Sequence, residues 1–344
     1  MALLAAVLFG AATPADKLLL NDGLMPLQLA GLLYIGAAVV VAPAALSRGG
    51  LALPPRGDRR TWLRLLGSVL FGGVAGPVAL LFALRLAGAG SVSLWLNLEL
   101  AATAILGAIV FRDHVGRRGW LGIATAFGAS TLLAWGPAGP GPVAGALVAL
   151  ACFCWGLDNH LTALIDGITP SQSTFWKATV AGVFNLTIGL VINPLSVDFV
   201  VLAFALIVGA LCYGASIVLY IGSAQRIGAV RAQVLFATAP FVGLALSVAA
   251  LGEGVTATQA VSVPLFLIGV SLLLVESHSH FHLHEAIFHE HSHRHDDGHH
   301  NHVHPGLPAS VRHTHPHQHE PIDHRHPHWP DLHHRHRHTS SEQG

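Results

Sequence analysis

Charged residues are scarce in this chain. Asp, Glu, Lys and Arg make up 10% of its 344 residues, while hydrophobic residues make up 52%. A soluble globular domain carries about a quarter charged residues, so this composition excludes an ordinary soluble protein and indicates an integral membrane protein. We therefore expect a lipid bilayer around most of the chain and no nucleic-acid partner.

Two chemical signatures are also missing. The three cysteines, Cys152, Cys154 and Cys212, lie in apolar segments and show no disulfide framework. No phosphate-binding loop of the G-x-x-x-x-G-K type occurs. ATP coupling within the chain is therefore not expected, and an ion or substrate gradient is the expected energy source. We expect neither enzymatic activity nor a required cofactor.

One long segment of the sequence occurs twice. Residues 88–130 align with residues 228–271, so that Gly88-Ala89 faces Gly228-Ala229. With one residue of slack, the alignment continues to the Gly-x-Ser pattern that ends both copies. Each full unit is about 135 residues, far too long for a solenoid repeat. Two such units in a membrane protein are typical of transporters built from paired repeats.

Ten stretches are long and apolar enough to cross a bilayer, which takes about 20 residues per helix. They cover residues 2–20, 26–46, 62–84, 92–111, 118–136, 143–165, 173–192, 198–223, 231–251 and 257–275. The Pro- and Gly-rich run 137–142 separates a first repeat (1–137) from a second repeat (143–276). The predicted fold is therefore all-α: ten transmembrane helices in two five-helix repeats, followed by a tail (277–344).

The first stretch, residues 2–20, resembles the apolar core of a signal peptide. No basic residue precedes it, however, and its Phe9-Gly10 pair has a counterpart in Trp155-Gly156, within the sixth stretch. We therefore interpret it as a retained first span rather than as a cleaved signal.

An odd number of helices per repeat places the second repeat upside down in the membrane. With a cytoplasmic N-terminus, the outer loops and their margins hold only Lys17 and Arg85. The inner loops hold Arg48, Arg56, Arg59, Arg60, Arg64, Arg112, Arg117, Arg118, Arg226 and Arg231. The positive-inside rule then predicts inverted repeats with both termini in the cytoplasm. We expect a cell membrane location, the inner membrane of a bacterium.

The motif Arg226-Ile227-Gly228-Ala229 precedes the ninth predicted helix, and Leu251-Gly252-Glu253 follows it. With ten helices in two repeats, residues 1–276 resemble the EamA-type branch of the drug/metabolite transporter superfamily. The resemblance implies a secondary transporter or exporter of small molecules, with a central cavity between the repeats, and no single substrate. A homodimer is the assembly that we consider for it.

Ionisable side chains within a span are candidate functional sites because their burial in lipid is costly. Glu99 is the deepest of them, in the fourth predicted helix two residues after Asn97, and no basic residue shares its span. Arg85 lies about 12 Å away in depth, given a rise of 1.5 Å per residue. Two interpretations remain open: a carrier of protons or cations, or a neutral acid hydrogen-bonded across helices.

Asp158, Asn159 and His160 form a second polar group, in the sixth predicted helix. Adjacent residues on a helix point about 100° apart, so the three cannot hold one ion from one face. Lys177, near the start of the seventh helix, lies at a comparable depth. The simpler interpretation is a structural ion pair between Asp158 and Lys177. The alternative is that these residues, with Asn159 and His160, line the transport cavity.

Four more polar residues occupy related positions in the two repeats. Gln28 and Gln172 lie near the starts of the second and seventh helices and are candidates for lining the transport path. Asp113 and Glu253 fall in loops, where we expect helix caps or surface charges.

The tail holds 23 of the 25 histidines. Its alternating histidines and scattered prolines show no apolar period, so we expect disorder. Neutral imidazole suits Zn²⁺, Ni²⁺, Co²⁺ and Cu²⁺. The candidate metal ligands are His278, His280, His282, His284, His289, His291, His293, His295, His299, His300, His302, His304, His313, His315, His317 and His319. The spacing is unlike an affinity tag, while a pH sensor and neutral drift remain as alternatives to metal binding.

Two functions follow from these features. In the first, a membrane carrier moves a small metabolite or drug-like solute, and its tail regulates transport or buffers metal. In the second, the tail collects Ni, Co or Zn for a metal exporter. A membrane-anchored metal store fits less well, since ten helices are needless for an anchor.

Overall fold

The structure is a computed structural model that describes most of the first 274 residues and four segments of the tail. The described ranges are 1–47, 50–111, 115–135, 141–165, 168–227, 235–274, 278–284, 288–293, 313–318 and 322–328. The chain divides into two compact units, Met1–Glu276 and Ser277–Gly344.

Helices build the described part of the first unit. In the first half they are α1 (Ala2–Gly10), α2 (Ala12–Asn21), α3 (Pro26–Leu46), α4 (Arg59–Gly67), α5 (Gly76–Leu86), α6 (Ala89–Trp95), α7 (Leu98–Leu106) and α8 (Arg117–Trp135). In the second half they are α9 (Pro142–Ala163), α10 (Pro170–Ile192), α11 (Phe199–Val208), α12 (Ser216–Ile227), α13 (Ala239–Leu251) and α14 (Ala257–Leu274). Three π-helical segments join them: π1 (Ser68–Ala75), π2 (Gly107–Phe111) and π3 (Gly209–Ala215).

Eight continuous helical stretches are long and apolar enough to cross a membrane. They are Ala2–Asn21, Pro26–Leu46, Arg59–Leu86, Ala89–Val110, Pro142–Thr162, Ser171–Ile192, Phe199–Tyr220 and Ala257–Leu274. The fifth predicted span is present as α8, and α13 occupies most of the ninth. An all-helical integral membrane unit is therefore confirmed, while the count of ten spans stays a prediction.

The surface of this unit supports the membrane assignment. Large apolar side chains are widely exposed: Val191 and Phe199 each expose 81% of their surface, and Ile109 exposes 69%. Soluble proteins rarely show extended apolar patches, whereas the hydrocarbon core of a bilayer surrounds such side chains at no cost. The exposed apolar side chains are therefore the lipid-facing surface.

Corresponding helices of the two halves pack on each other through small residues. A Cβ atom added at Gly31 of α3 would lie 2.5 Å from the backbone nitrogen of Leu186 in α10. Between α8 and α14 the approach is mutual. A Cβ at Gly122 would lie 2.8 Å from the carbonyl oxygen of Gly269, and one at Gly269 would lie 3.0 Å from that of Gly122. Small residues let membrane helices approach this closely.

Two predicted spans are locally distorted. The first is distorted at Ala11, between α1 and α2, and the fourth at residues 96–97, between α6 and α7, where the backbone keeps its right-handed helical conformation. The third and eighth spans instead contain π1 and π3, which occupy corresponding positions in the two halves. π-helical segments are frequent at functional sites. Together, these irregular segments position the polar side chains described below.

The described residues of the second unit form four short strands: β1 (His278–His284), β2 (Phe288–His293), β3 (His313–Gln318) and β4 (Ile322–His328). Strand β1 pairs antiparallel with β4, and β2 with β3. A sheet of two strands is at best marginally stable in water unless an apolar face packs on something. The predicted disorder of the tail in solution therefore stays a prediction.

Candidate functional site

The distorted turn in the fourth predicted helix positions Glu99. Helix α6 ends at Trp95, and the side-chain amide of Asn97 donates to the carbonyl oxygen of Leu94 at 2.8 Å. Helix α7 begins at Leu98, so Glu99 lies in its first turn. The backbone bonds here, from Asn97 N–H to the Leu94 carbonyl and from Glu99 N–H to the Leu96 carbonyl, are of the 3₁₀ type, which inside a helix often marks a functional hinge.

Glu99 has a partner on another helix. Asn159 Nδ2, on α9, donates to Glu99 Oε1 at 3.1 Å. The Glu99 side chain is half-buried and Asn159 is exposed. This contact is the hydrogen bond across helices that the second interpretation of Glu99 requires, and it leaves a role as a carrier of protons or cations open. A bond that joins α7 to α9 connects the two halves of the chain.

The predicted ion pair is confirmed. Lys177 Nζ donates to Asp158 Oδ2 at 2.7 Å, and both side chains are largely buried. The other carboxylate oxygen, Oδ1, accepts from Ser68 Oγ at 2.5 Å and from Thr162 Oγ1 at 2.9 Å. The carboxylate thus has an opposite charge and two hydroxyl donors, which is what a buried charge needs to be tolerated.

Glu99 also lies within electrostatic range of Asp158 and Lys177. We refer to Glu99, Asn159, Asp158 and Lys177 as the polar cluster. Its members come from α7 in the first half of the chain and from α9 and α10 in the second half. The cluster therefore lies between the two halves.

Segment π1, which packs next to the polar cluster, is held by hydrogen bonds to two of its glycine carbonyl groups. The carbonyl oxygen of Gly72 accepts from Tyr34 Oη at 2.6 Å and from Trp155 Nε1 at 3.2 Å. That of Gly73 accepts from Asn185 Nδ2 at 3.0 Å. A π-helix changes the register of backbone hydrogen bonding, and these side chains bind carbonyl groups of the altered segment.

His160 and the cysteines occupy packed positions. The ring atom His160 Nδ1 lies 2.7 Å from the carbonyl oxygen of Gly156, one turn earlier in α9. Cys152, Cys154 and Cys212 are free and buried, as their apolar surroundings predict. The structure therefore places the His160 ring against its own helix, while Asn159 and Asp158 make the contacts of the polar cluster.

Gln28 and Gln172 both complete capping boxes. Gln28 Oε1 accepts from the backbone N–H of Met25 at 3.2 Å, and its Nε2 donates to the carbonyl oxygen of Asn193 at 2.7 Å. Gln172 Oε1 accepts from the backbone N–H of Thr169 at 2.8 Å, and its Nε2 donates to the Gly50 carbonyl. Three of these four bonds go to helix ends and the fourth goes to the loop residue Gly50, and a role in lining the path stays a prediction.

One buried carboxyl group was missed from the sequence. Asp16, on α2, is completely buried, and Tyr213 Oη, on π3, donates to its Oδ2 at 2.5 Å. The available signal was an acidic residue inside an apolar span. The adjacent Lys17 was counted only as a basic residue at the outer margin of the span.

The predicted metal ligands are described only in part. Ten of the sixteen predicted ligands lie in strands β1, β2 and β3, while His295, His299, His300, His302, His304 and His319 lie outside the described residues. Within the described part of the chain, no group of three or more His, Cys, Asp or Glu side chains is placed to hold a metal ion. Metal binding by the tail therefore stays a prediction.

Comparison with known proteins identifies the family. The EamA-like transporter family matches residues 1–135 and, a second time, residues 143–275. The chain belongs to the EamA-like transporter family. This EamA-like transporter is 28% identical over 291 residues to an uncharacterized transporter of Methanothermobacter thermautotrophicus, covering 78% of this chain and 83% of the relative. Membership makes it a membrane transporter rather than an enzyme.

A solved crystal structure of another protein shares the fold of this EamA-like transporter. The two are 16% identical, with a TM-score of 0.54 over 78% of this chain and 96% of the other. At that identity the likeness concerns the fold alone. It shows that the packing of the membrane unit also occurs in a protein of very different sequence.

Proposed function

We propose that this EamA-like transporter is a secondary carrier that exports a small metabolite or drug-like solute, and that the polar cluster is part of its substrate path. The observation that carries the proposal is the bond between Glu99 and Asn159. It places a carboxyl group beside a distorted helical turn and between the two family segments. A solute that moves between two repeats must pass the groups that lie between them.

The two family segments are proposed to form inverted repeats. Each segment contains a π-helical segment in its third span. The last helix of each segment, α8 and α14, packs on the other at Gly122 and Gly269, which agrees with a pseudo-two-fold axis between the segments. Such an axis in the membrane plane underlies alternating access in many carriers.

The orientation of the inverted repeats has its own test. The arginine distribution places both termini in the cytoplasm. A reporter that is active only outside the inner membrane should stay silent when fused after Gly344. The same reporter should be active when inserted into the loop at residues 137–142. The reverse pattern would contradict the topology.

The role proposed for Glu99 is to carry a proton or a cation, or to contact the solute directly. The substitution Glu99→Gln keeps the shape of the side chain and an oxygen that can accept from Asn159, but it removes the exchangeable charge. The variant should insert and fold normally and should lose gradient-driven transport. Wild-type transport with an unchanged pH dependence in Glu99→Gln would exclude Glu99 from the mechanism.

The second candidate function is efflux of Ni, Co or Zn, with the tail as a cytoplasmic metal collector. The observation in its favour is the density of histidine: 23 of the 25 histidines lie within the last 68 residues of the chain. Against it, the polar cluster offers mainly oxygen ligands and one cation. Under the first function, the same metal-binding tail regulates transport or buffers metal. Neither function requires a bound cofactor.

One experiment separates the two functions. Metabolite and metal contents are compared in cells with and without the gene, and in cells that express the Glu99→Gln variant. Export of an organic solute predicts that a metabolite accumulates in the absence of the gene, with metal contents unchanged. Metal accumulation alone would favour the second function. If neither the metabolite contents nor the metal contents differ, both functions are contradicted.

A further inference from the structure

In the described structure, only one of the two carboxyl oxygens of Asp16 has a hydrogen-bond partner. Its Oδ2 accepts the Tyr213 hydroxyl at 2.5 Å, whereas its Oδ1 is buried and has no hydrogen-bond partner among the residues that the structure describes. The side chain is 0% exposed. Buried polar groups almost always find partners, so an orphaned carboxyl oxygen needs an explanation.

The titratable groups around Asp16 supply no positive charge. The Cys212 thiol and the Tyr213 hydroxyl face it from π3, and the Tyr34 ring on α3 lies 6.1 Å from the Tyr213 ring. These groups are neutral in their ordinary forms. The hydroxyl of Tyr213 can donate one hydrogen bond to Asp16 but cannot balance a full negative charge.

The nearest cations in sequence and on packed helices are used elsewhere. Lys17, the next residue of α2, donates its ammonium to the carbonyl oxygens of Leu84 and Ala87 at 2.5 and 3.0 Å. Arg85 of α5 is exposed. Within the described part of the chain, helices α6, α11 and α13, which also pack on α2, carry no titratable side chain.

Asp158 provides a comparison within the same molecule. Asp16 lies in the first span against π3, and Asp158 lies in the sixth span against π1, so the two occupy related places in the two halves. Gly72, which approaches Asp158, and Tyr213, which binds Asp16, are each the fifth residue of their π-helical segment. Asp158 is compensated by Lys177, whereas Asp16 has only a hydroxyl.

An ionised carboxylate without a counter-charge is very costly to bury, and such groups are found neutral instead. The surroundings of Asp16 therefore fit the neutral acid, and those of Asp158 fit the charged form. A proton needs one acceptor atom, while metal cations take several oxygen ligands at once. The one unpartnered oxygen of Asp16 thus suits a proton better than a metal ion.

We propose that Asp16 is a proton-binding site, with Tyr213 as its positioning residue, that couples transport to a proton gradient. The proposal rests on the proposed carrier function and names its coupling ion. In the described conformation Asp16 holds the proton. When the site opens to one side of the membrane, the O–H bond of the acid breaks and the proton passes to water. The site then closes with the solute bound, and the carboxylate takes up a proton again from water on the other side, where the solute leaves, so that one proton crosses the membrane in each cycle.

The proton on Asp16 can be measured without knowing the solute. A protonated carboxyl group has a C=O stretching band in the infrared that is separate from the bands of carboxylates and amides. The full-length protein is titrated from about pH 5 to about pH 10, a range in which an exposed Asp is already ionised. The Asp16→Asn variant should lose one such band, whereas Glu99→Gln should retain it.

A second variant keeps the test valid if Asp16→Asn fails to fold. Tyr213→Phe removes the donor to Oδ2 while keeping the ring, and should shift the frequency of the Asp16 band without removing it. A spectrum unchanged in both variants would overturn the proposal. So would loss of the wild-type band when sodium chloride replaces choline chloride at constant pH, because a metal cation would then compete for the site.

The infrared result is independent of the proposed function. If Asp16 holds a proton but neither metabolites nor metals respond to the gene, the carrier proposal fails and the proton site remains. If a metabolite is exported but the Asp16 band is absent, the proton site fails and the carrier proposal remains.

Discussion

Glu253 Oε2 accepts the backbone N–H of Gly90 at 2.9 Å, although 163 residues separate the two. The other oxygen accepts from the N–H of Ala89 at 2.8 Å. Glu253 therefore caps helix α6, and the prediction that it forms a cap or a surface charge is confirmed as a cap. Its counterpart Asp113 lies outside the described residues. The cap joins the loop after α13 to the first half of the chain.

The cap predicts a measurable loss of stability. Glu253→Gln removes the negative charge at a helix N-terminus and one of the two acceptor oxygens, so the free energy of unfolding should fall by about 1–2 kcal/mol. Thermal unfolding in detergent measures it. Asp198→Asn is the matched control, because Asp198 is the N-cap residue of α11 and makes no side-chain cap bond. Equal losses in both variants would contradict the capping role.

The ion pair between Asp158 and Lys177 predicts a compensation effect. Either Asp158→Asn or Lys177→Met leaves one largely buried charge unpaired and should lower stability by about 3–5 kcal/mol. The double variant removes both charges and should recover much of that loss. The coupling energy follows from the unfolding of the wild type, the two single variants and the double variant, all measured in the same detergent. Additive losses in the double variant would show that the pair is not coupled.

The close approach of π1 to α9 predicts a steric effect at Gly72. A Cβ atom there would lie 2.1 Å from Asp158 Oδ2, so Gly72→Ala must displace the ion pair or the helix. We expect a loss of about 1–3 kcal/mol, as for other overpacked sites. Gly128→Ala is the control, since a Cβ at Gly128 meets no atom within 4 Å. A neutral Gly72→Ala variant would contradict the described packing.

The tail predicts metal binding that depends on pH. The full-length protein should bind several equivalents of Ni²⁺ or Zn²⁺ at about pH 7.5, and a variant that lacks residues 277–344 should not. Binding should weaken below about pH 6, because protons compete for the same nitrogen atoms and free histidine titrates near 6.5. Titration calorimetry measures both effects. Equal binding by both proteins would contradict the assignment to the tail, and pH-independent binding would contradict histidine ligands.

The sequence by itself determined the class of protein, the duplication and one ion pair of the polar cluster. Few charges and long apolar stretches can belong only to a chain surrounded by lipid, and the repeated motifs placed it in its family. The Asp158–Lys177 pair was predictable because both residues lie at similar depth on consecutive helices. Two opposite charges in low dielectric strongly favour contact.

Only the tertiary structure decided which distant side chains meet. Tyr213 and Asp16 are 197 residues apart, and Asn159 and Glu99 are 60 residues apart. In a soluble protein, an apolar stripe shows which face of a helix is buried. In a bilayer the lipid-facing side is apolar too, so the sequence pattern does not reveal which helices are neighbours. The partner of each buried polar group therefore follows from the packing of the helices.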